Sequence, residues 1–127
     1  MFVRDDTIVA ISTPPGQGGI GVVRLSGQAA KTITNAVLCL NRDLKPRYAT
    51  LTQVRDSPGG RPIDQVVATF FPRPNSYTGE DVVELSGHGS PVLLRQIVSA
   101  TIAAGARLAE PGEFTFRGYL NGQMDLV

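Results

Sequence analysis

"VVELSGHGSP", residues 82–91, sets Glu84 at the centre of an apolar run of strand composition and follows it with a histidine between two glycines. Sixty positions earlier, "VVRLSGQAA" (22–30) repeats the phrase with Arg24 where the later copy has Glu84. In a strand, alternate side chains point to opposite faces. Val23 and Leu25, or Val83 and Leu85, therefore share one face, and the charge shares the other with Val22 and Ser26, or Val82 and Ser86. A Ser-Gly turn and a helical pattern follow each copy. After the first, Ala30, Ile33, Val37 and Leu40 fall at helical spacing, with Ser26 as the expected N-cap. After the second, Ser90 caps, Pro91 takes the first helical position, and Leu94, Ile97, Val98 and Ile102 form a stripe that ends at Gly105.

A strand, turn and helix written twice implies two similar halves within one sheet. The expected fold is α/β (α+β), a pseudo-symmetric mixed β-sheet with about three helices. The remaining elements fit that frame. "TIVAIS" (7–12) reads as a strand closed by the loop "TPPGQGG", and "ATLTQVRD" (49–56) and "IDQVVATFF" (63–71) read as a hairpin across "SPGGRP". "PRPNSYTG" (72–79) is a long loop, "ARLAEPGEF" gives a short strand and a turn, and "GEFTFRGYLNG" gives a short helix stopped by Asn121-Gly122.

At 127 residues the chain is one domain by size, and its 42% hydrophobic content supports a packed core, while 14 Gly and 9 Pro make it turn-rich. The net charge is +1, with Arg42, Lys45, Arg47, Arg55 and Arg61 offset by Asp43 and Asp56, so no electrostatic footprint for nucleic acid stands out. One cysteine, Cys39, excludes an internal disulfide, and no Cys/His cluster has metal-ligand spacing. "MFVRDD" argues against a secretory signal, and no apolar run is long enough for a membrane span, so a cytoplasmic location is expected. The apolar ending in "QMDLV" points to a parent chain that continues.

"GQGGIG" (16–21) satisfies G-x-G-x-x-G, but the strand-like "VVRL" follows where a dinucleotide site needs a helix N-terminus. It reads as a turn between strands. No phosphate-cradling G-x-x-x-x-G-K-[ST] is present. Cys39 reads as a structural thiol on the first helix, and His88 as a hydrogen-bonding or packing residue before a general acid or base. Arg24 and Glu84 carry more information, because a charge in such a strand is costly unless paired. Either they pair with each other, or they face a shared cavity and split a ligand. A carboxylate suits the amide and exocyclic amine edge of a pterin or guanine-like ring, an arginine fork suits a carboxylate or carbonyl, and Tyr77 or Phe114 could wall the cavity.

Three blocks, "DTIVAISTPPGQGGIGVVRLSG", "PNSYTGEDVVELSGHGSP" and "EPGEFTFRGYLNGQMDLV", resemble the N-terminal domain of the tRNA-modification GTPase family known as MnmE or TrmE. The resemblance implies a fold similar to the tetrahydrofolate-binding domain of aminomethyl transferases, with residues 1–120 as a folate-binding, dimerising domain and 121–127 as the start of a truncated helical domain. It implies a formyl- or methylene-tetrahydrofolate as cofactor, a homodimer, a flavoprotein partner of the MnmG or GidA family, and tRNA met through the full complex. Formation of a carboxymethylaminomethyl group at the wobble uridine is the implied reaction. A GTPase domain using magnesium and potassium would lie outside these residues, and this chain alone would house no catalysis. The family's folate contacts fall on Arg24, Glu84 and Gln123. Gln123 departs from the family's usual lysine, and a neutral amide cannot neutralise a folate tail carboxylate. Two rivals stand beside this expectation. One is an assembly-only module without ligand; the other is a self-sufficient aminomethyl transferase with Asp81, Asp125 or Glu113 as its acid.

Overall fold

A computed structural model describes residues 6–13 and 18–123. Its elements run β1 (Ile8–Ile11), β2 (Gly18–Ser26), α1 (Ala30–Val37), β3 (Thr50–Arg55), β4 (Pro62–Phe71), β5 (Val82–Gly89), α2 (Pro91–Ala103), β6 (Arg107–Leu108) and α3 (Glu113–Leu120). The six strands form one sheet in the order β3-β4-β5-β2-β1-β6. All neighbours are antiparallel except β1 and β6, so the expected mixed sheet with three helices is the observed one.

The order is a palindrome of two halves. The first is β1, β2, α1 and β3; the second is β4, β5, α2 and β6. The two copies of the repeated phrase lie side by side at the centre, and each half sends its last strand to the far edge of the other half. The edges differ in sense: β3 joins β4 through a tight turn and must run antiparallel, whereas β6 arrives from α2 and lies parallel to β1.

One face of the sheet carries the core. Val9, Val23, Leu25, Val54, Val66, Ala68, Phe70, Val83 and Leu85 are buried against Ala30, Ile33 and Val37 of α1 and Leu94, Ile97 and Val98 of α2. Gly21 lets α2 approach, since a Cβ there would stand 2.6 Å from a Leu94 methyl carbon. The other face is covered at one end by the loop 72–81 and α3.

Three local expectations are corrected. Ser26 does not cap α1; it is the last residue of β2, fully buried, and bonds Thr78 and Glu80. Thr7 does the neighbouring work by accepting from the Ala29 N–H at 3.0 Å, close to Gly27, whose φ of +143 suits only glycine. Leu40 and Cys39 lie beyond the end of α1, with the Cys39 N–H donating to Gln53 at the sheet edge. Ile102 is 42% exposed, and Ala100 and Thr101 complete the buried stripe of α2 instead. Ser90 caps α2 as expected, with its side chain accepting from Leu93 N–H.

Candidate functional site

The centre of the sheet holds an arrangement that the repeat itself dictates. β2 and β5 are antiparallel with Val22 opposite Ser86, Arg24 opposite Glu84 and Ser26 opposite Val82. Val22 is the repeat-equivalent of Val82 and Ser26 of Ser86, so those equivalents are not neighbours. Only at Arg24 and Glu84 does a residue face its own repeat counterpart: the local two-fold axis between the halves passes between them. Identical charges there would oppose each other directly and repel. The reversal of sign between the two copies removes that conflict.

The two side chains meet. Arg24 Nε donates to Glu84 Oε2 at 2.9 Å, and Nη2 stands 2.8 Å from the same oxygen. Neither is sealed, with 23% of the arginine side chain and 28% of the glutamate exposed. Both contacts fall on Oε2, and Oε1 takes no hydrogen bond from any described residue. Arg24 also lies under the Tyr77 ring, 4.9 Å from its centroid, and the Tyr77 hydroxyl reaches Thr115 Oγ1 at 3.1 Å. Beside Ala10, the cross-strand neighbour of Arg24, an open pocket of about 340 Å3 runs along Pro111, Phe114 and Thr115. Of the two expected aromatic walls, Tyr77 is on the arginine and Phe114 lines this pocket.

Gln123 is described and exposed, just past the end of α3, with its side chain packed along Gly79 of the Tyr77 loop. Its backbone N–H donates to Gly118 at 2.8 Å. Its amide makes no hydrogen bond to Arg24 or Glu84. Asp125 lies outside the described residues. Asp81 is a loop clamp, accepting from the Arg73 N–H at 2.9 Å.

Glu113 belongs to a partly buried network that no sequence motif assembles. Arg117, 1% exposed, reaches Asp6, Glu80 and Glu113, with the shortest contact at 2.7 Å to Asp6 Oδ1. Arg107 bonds Asp6 and holds Glu113 through both carboxylate oxygens at 3.1 and 2.7 Å. Burial pushes the Glu113 carboxyl up, but the hydrogen bonds from Arg107 and the Glu110 N–H, with the charges of both arginines, hold it below its ordinary value. The hydrogen bond from Arg107 likewise outweighs burial and lowers Asp6. That bond to Asp6, followed by the one to Glu113, raises Arg107 further. A carboxyl so held is a poor proton donor near neutral pH, which disfavours Glu113 as the acid of a self-sufficient transferase. The five groups span almost the whole sequence, so no local motif announces them; Ser26 bonding Glu80 was the traceable signal, a polar residue buried where a cap was expected.

His88 stands apart. Its Nδ1 is 2.9 Å from Asp64 Oδ2 while 71% of its side chain is exposed. That is the hydrogen-bonding role expected of it. No group of three metal-ligating side chains exists among the described residues.

A family model described as "GTP-binding protein TrmE N-terminus" matches residues 7–123. The chain belongs to the TrmE N-terminal family. Its curated relatives include a tRNA modification GTPase MnmE of Koribacter versatilis, 50% identical over 126 residues covering 97% of this chain and 28% of that protein. The MnmE of Coxiella burnetii is 51% identical over 99% of this chain and 27% of its own length. That of an Azoarcus species is 53% identical over 96% and 26%. The chain thus spans about a quarter of the relatives it matches. The TrmE N-terminal unit is the mixed sheet with its central charge pair, and among its described residues no helix is long and apolar enough to cross a membrane.

Proposed function

We propose that this chain is the folate-binding, dimerising module of a tRNA-modification GTPase that forms a carboxymethylaminomethyl group at the wobble uridine of certain tRNAs. The GTP hydrolysis, with its potassium and magnesium, belongs to residues outside this chain. The partners in this reading are a second copy, an MnmG/GidA-type flavoprotein and tRNA, acting in the cytoplasm. Family membership supports the first part of the reading. The observation that carries the ligand site is the half-open Arg24–Glu84 pair under Tyr77, with Glu84 Oε1 free of hydrogen bonds among the described residues.

The residues fit a reduced pteridine, with one condition. An ionised carboxylate offers about four acceptor positions. Arg24 occupies Oε2 with one hydrogen bond and one ion-pair contact, so both positions on Oε1 stay open as Glu84 stands. Accepting the paired donors of a 2-amino-4-oxo ring on both oxygens requires Arg24 to give up one contact. Arg24 then keeps a cation beside the ring, Tyr77 supplies an apolar wall, and Gln123 offers a neutral amide toward the tail. The chemistry such a ligand supplies when bound is a transferable one-carbon unit. The aminomethyl-transferase-like fold belongs to the same reading, and turnover is assigned to the assembled protein.

Titration calorimetry with 5-formyltetrahydrofolate tests this site. Binding to the wild type and its loss in Glu84→Ala are the expected results; equal affinity in the two would defeat the assignment. The exchange Arg24→Glu with Glu84→Arg is more discriminating, because it rebuilds the ion pair on the axis while moving the carboxylate to the other half. An assembly-only module would tolerate the exchange in every respect, whereas the folate reading expects stability kept and binding lost.

A further inference from the structure

A second concavity lies at the opposite edge of the sheet, where the segment after α1 turns back along β3. It encloses about 480 Å3 and is bordered by Arg42, Asp43, Lys45, Tyr48 and Leu51. Tyr48 and Leu51 are 60% and 66% exposed, so an aromatic face and an aliphatic side chain stand open to solvent. The Arg42 side chain makes no hydrogen bond or ion pair with any described residue, and the Lys45 ammonium is engaged only with the Tyr48 ring, 5.5 Å from its centroid, among the described residues.

In the sequence Asp43 offsets these cations, but the fold uses its carboxylate elsewhere. Oδ2 faces Lys31 Nζ at 3.3 Å and Oδ1 accepts from Asn35 Nδ2 at 3.2 Å, both on α1. Asp56, the other offsetting carboxylate, accepts from the Arg61 N–H in the β3–β4 turn. Arg47 is drawn away as well, donating to the Asn75 carbonyl and lying over Phe71. Arg42 and Lys45 are left as an uncompensated pair of cations beside an exposed ring, in a chain whose net charge is only +1.

We infer that this hollow is an RNA contact surface, with Arg42 and Lys45 on consecutive phosphates and one unstacked base on Tyr48. Cations neutralise phosphates and release counterions, and an aromatic ring stacks on any base; the combination is the one that binds single-stranded segments. It rests on the tRNA part of the proposed function and is independent of folate at Glu84.

The test uses the intact protein carrying this chain, unfractionated bacterial tRNA as probe, and fluorescence anisotropy over a series of KCl concentrations. Replacing both cations, Arg42→Gln with Lys45→Gln, is expected to lower affinity tenfold or more and to flatten the dependence of log K on log salt by about 1.4, two phosphates at about 0.7 each. Tyr48→Ala is expected to cost roughly tenfold with the salt slope unchanged, and Tyr48→Phe to restore binding. These residues are exposed, so melting temperature and 5-formyltetrahydrofolate affinity should hold in all variants. Wild-type affinity and slope in the double variant would overturn the surface while leaving the tRNA reading standing. Absence of tRNA binding by the wild type would overturn both. Loss of binding to phosphatidylserine vesicles with tRNA binding intact would overturn the inference in favour of a lipid surface.

Discussion

Two arginine–carboxylate sites sit on the same side of the sheet, and they are built for different ends. On the two-fold axis, one arginine meets one glutamate, each about a quarter exposed, with a carboxylate oxygen to spare. Under α3, two arginines meet three carboxylates, and Arg117 and Glu113 are removed from solvent. The carboxylates of such a network are already engaged by its arginines, and losing Arg117 leaves charge stranded away from water. An open pair stabilises little and can exchange one partner for another. Arg107 and Asp6 at the rim of the clamp are as open as the central pair, so the unused Glu84 oxygen on one side and the sealed Arg117 and Glu113 on the other, more than residue type, separate the candidate site from the clamp.

The sharpest way to break this contrast is to remove the centre of the clamp. Arg117→Met leaves Glu113 and Glu80 without it and should cost about 3–5 kcal/mol of stability, read by urea unfolding. A loss no larger than that of an exposed pair would erase the distinction. The next effect is in pH. Asp6 and Glu113 are both held below their ordinary values of 3.8 and 4.5. Carboxyls depressed in the folded state add stability that is fully present above their unfolded values and is lost as pH falls through the folded ones. Stability should therefore be level at and above about pH 6 and decline below about pH 4, and the Asp6→Asn, Glu113→Gln variant should start lower and decline less steeply in an acid titration followed by circular dichroism.

The open pair should respond in the reverse pattern. Glu84→Ala is expected to change stability by about 1 kcal/mol or less while abolishing measurable folate binding in calorimetry. The smallest effect belongs to Tyr77→Phe, which keeps the ring on Arg24 and removes the hydroxyl bond to Thr115. About 0.5 kcal/mol, the low end for a hydrogen bond because this one is exposed, should be lost in thermal unfolding, with ligand affinity little altered.

The open pair's half of this contrast is legible in the sequence. The alternation around Arg24 and Glu84 put both charges on the face opposite Val23, Leu25, Val83 and Leu85, and the repeated phrase located the two central strands. Ser90-Pro91 marked the start of α2 because a cap and a fixed φ act locally. What escaped the sequence was non-local. Ser26 has the composition of a cap, and only the arrival of Glu80 and Thr78 from fifty residues away gives its hydroxyl a better use. The clamp joins residue 6 to residue 117, a spacing that no periodicity encodes. The excess of cations in 42–47 is also masked by a whole-chain charge of +1, and adjacency in sequence does not decide which cation Asp43 serves.

The crossed edge strands carry one more implication. Because β3 belongs to the first half but finds its strand partner in the second, and β6 does the reverse, neither half owns a complete sheet. The molecule is built like an arm-exchanged dimer whose two copies have been tied into one polypeptide. Cutting the Ser57–Gly60 turn would consequently yield two fragments that remain clasped around a shared centre, each needing the other to close its edge.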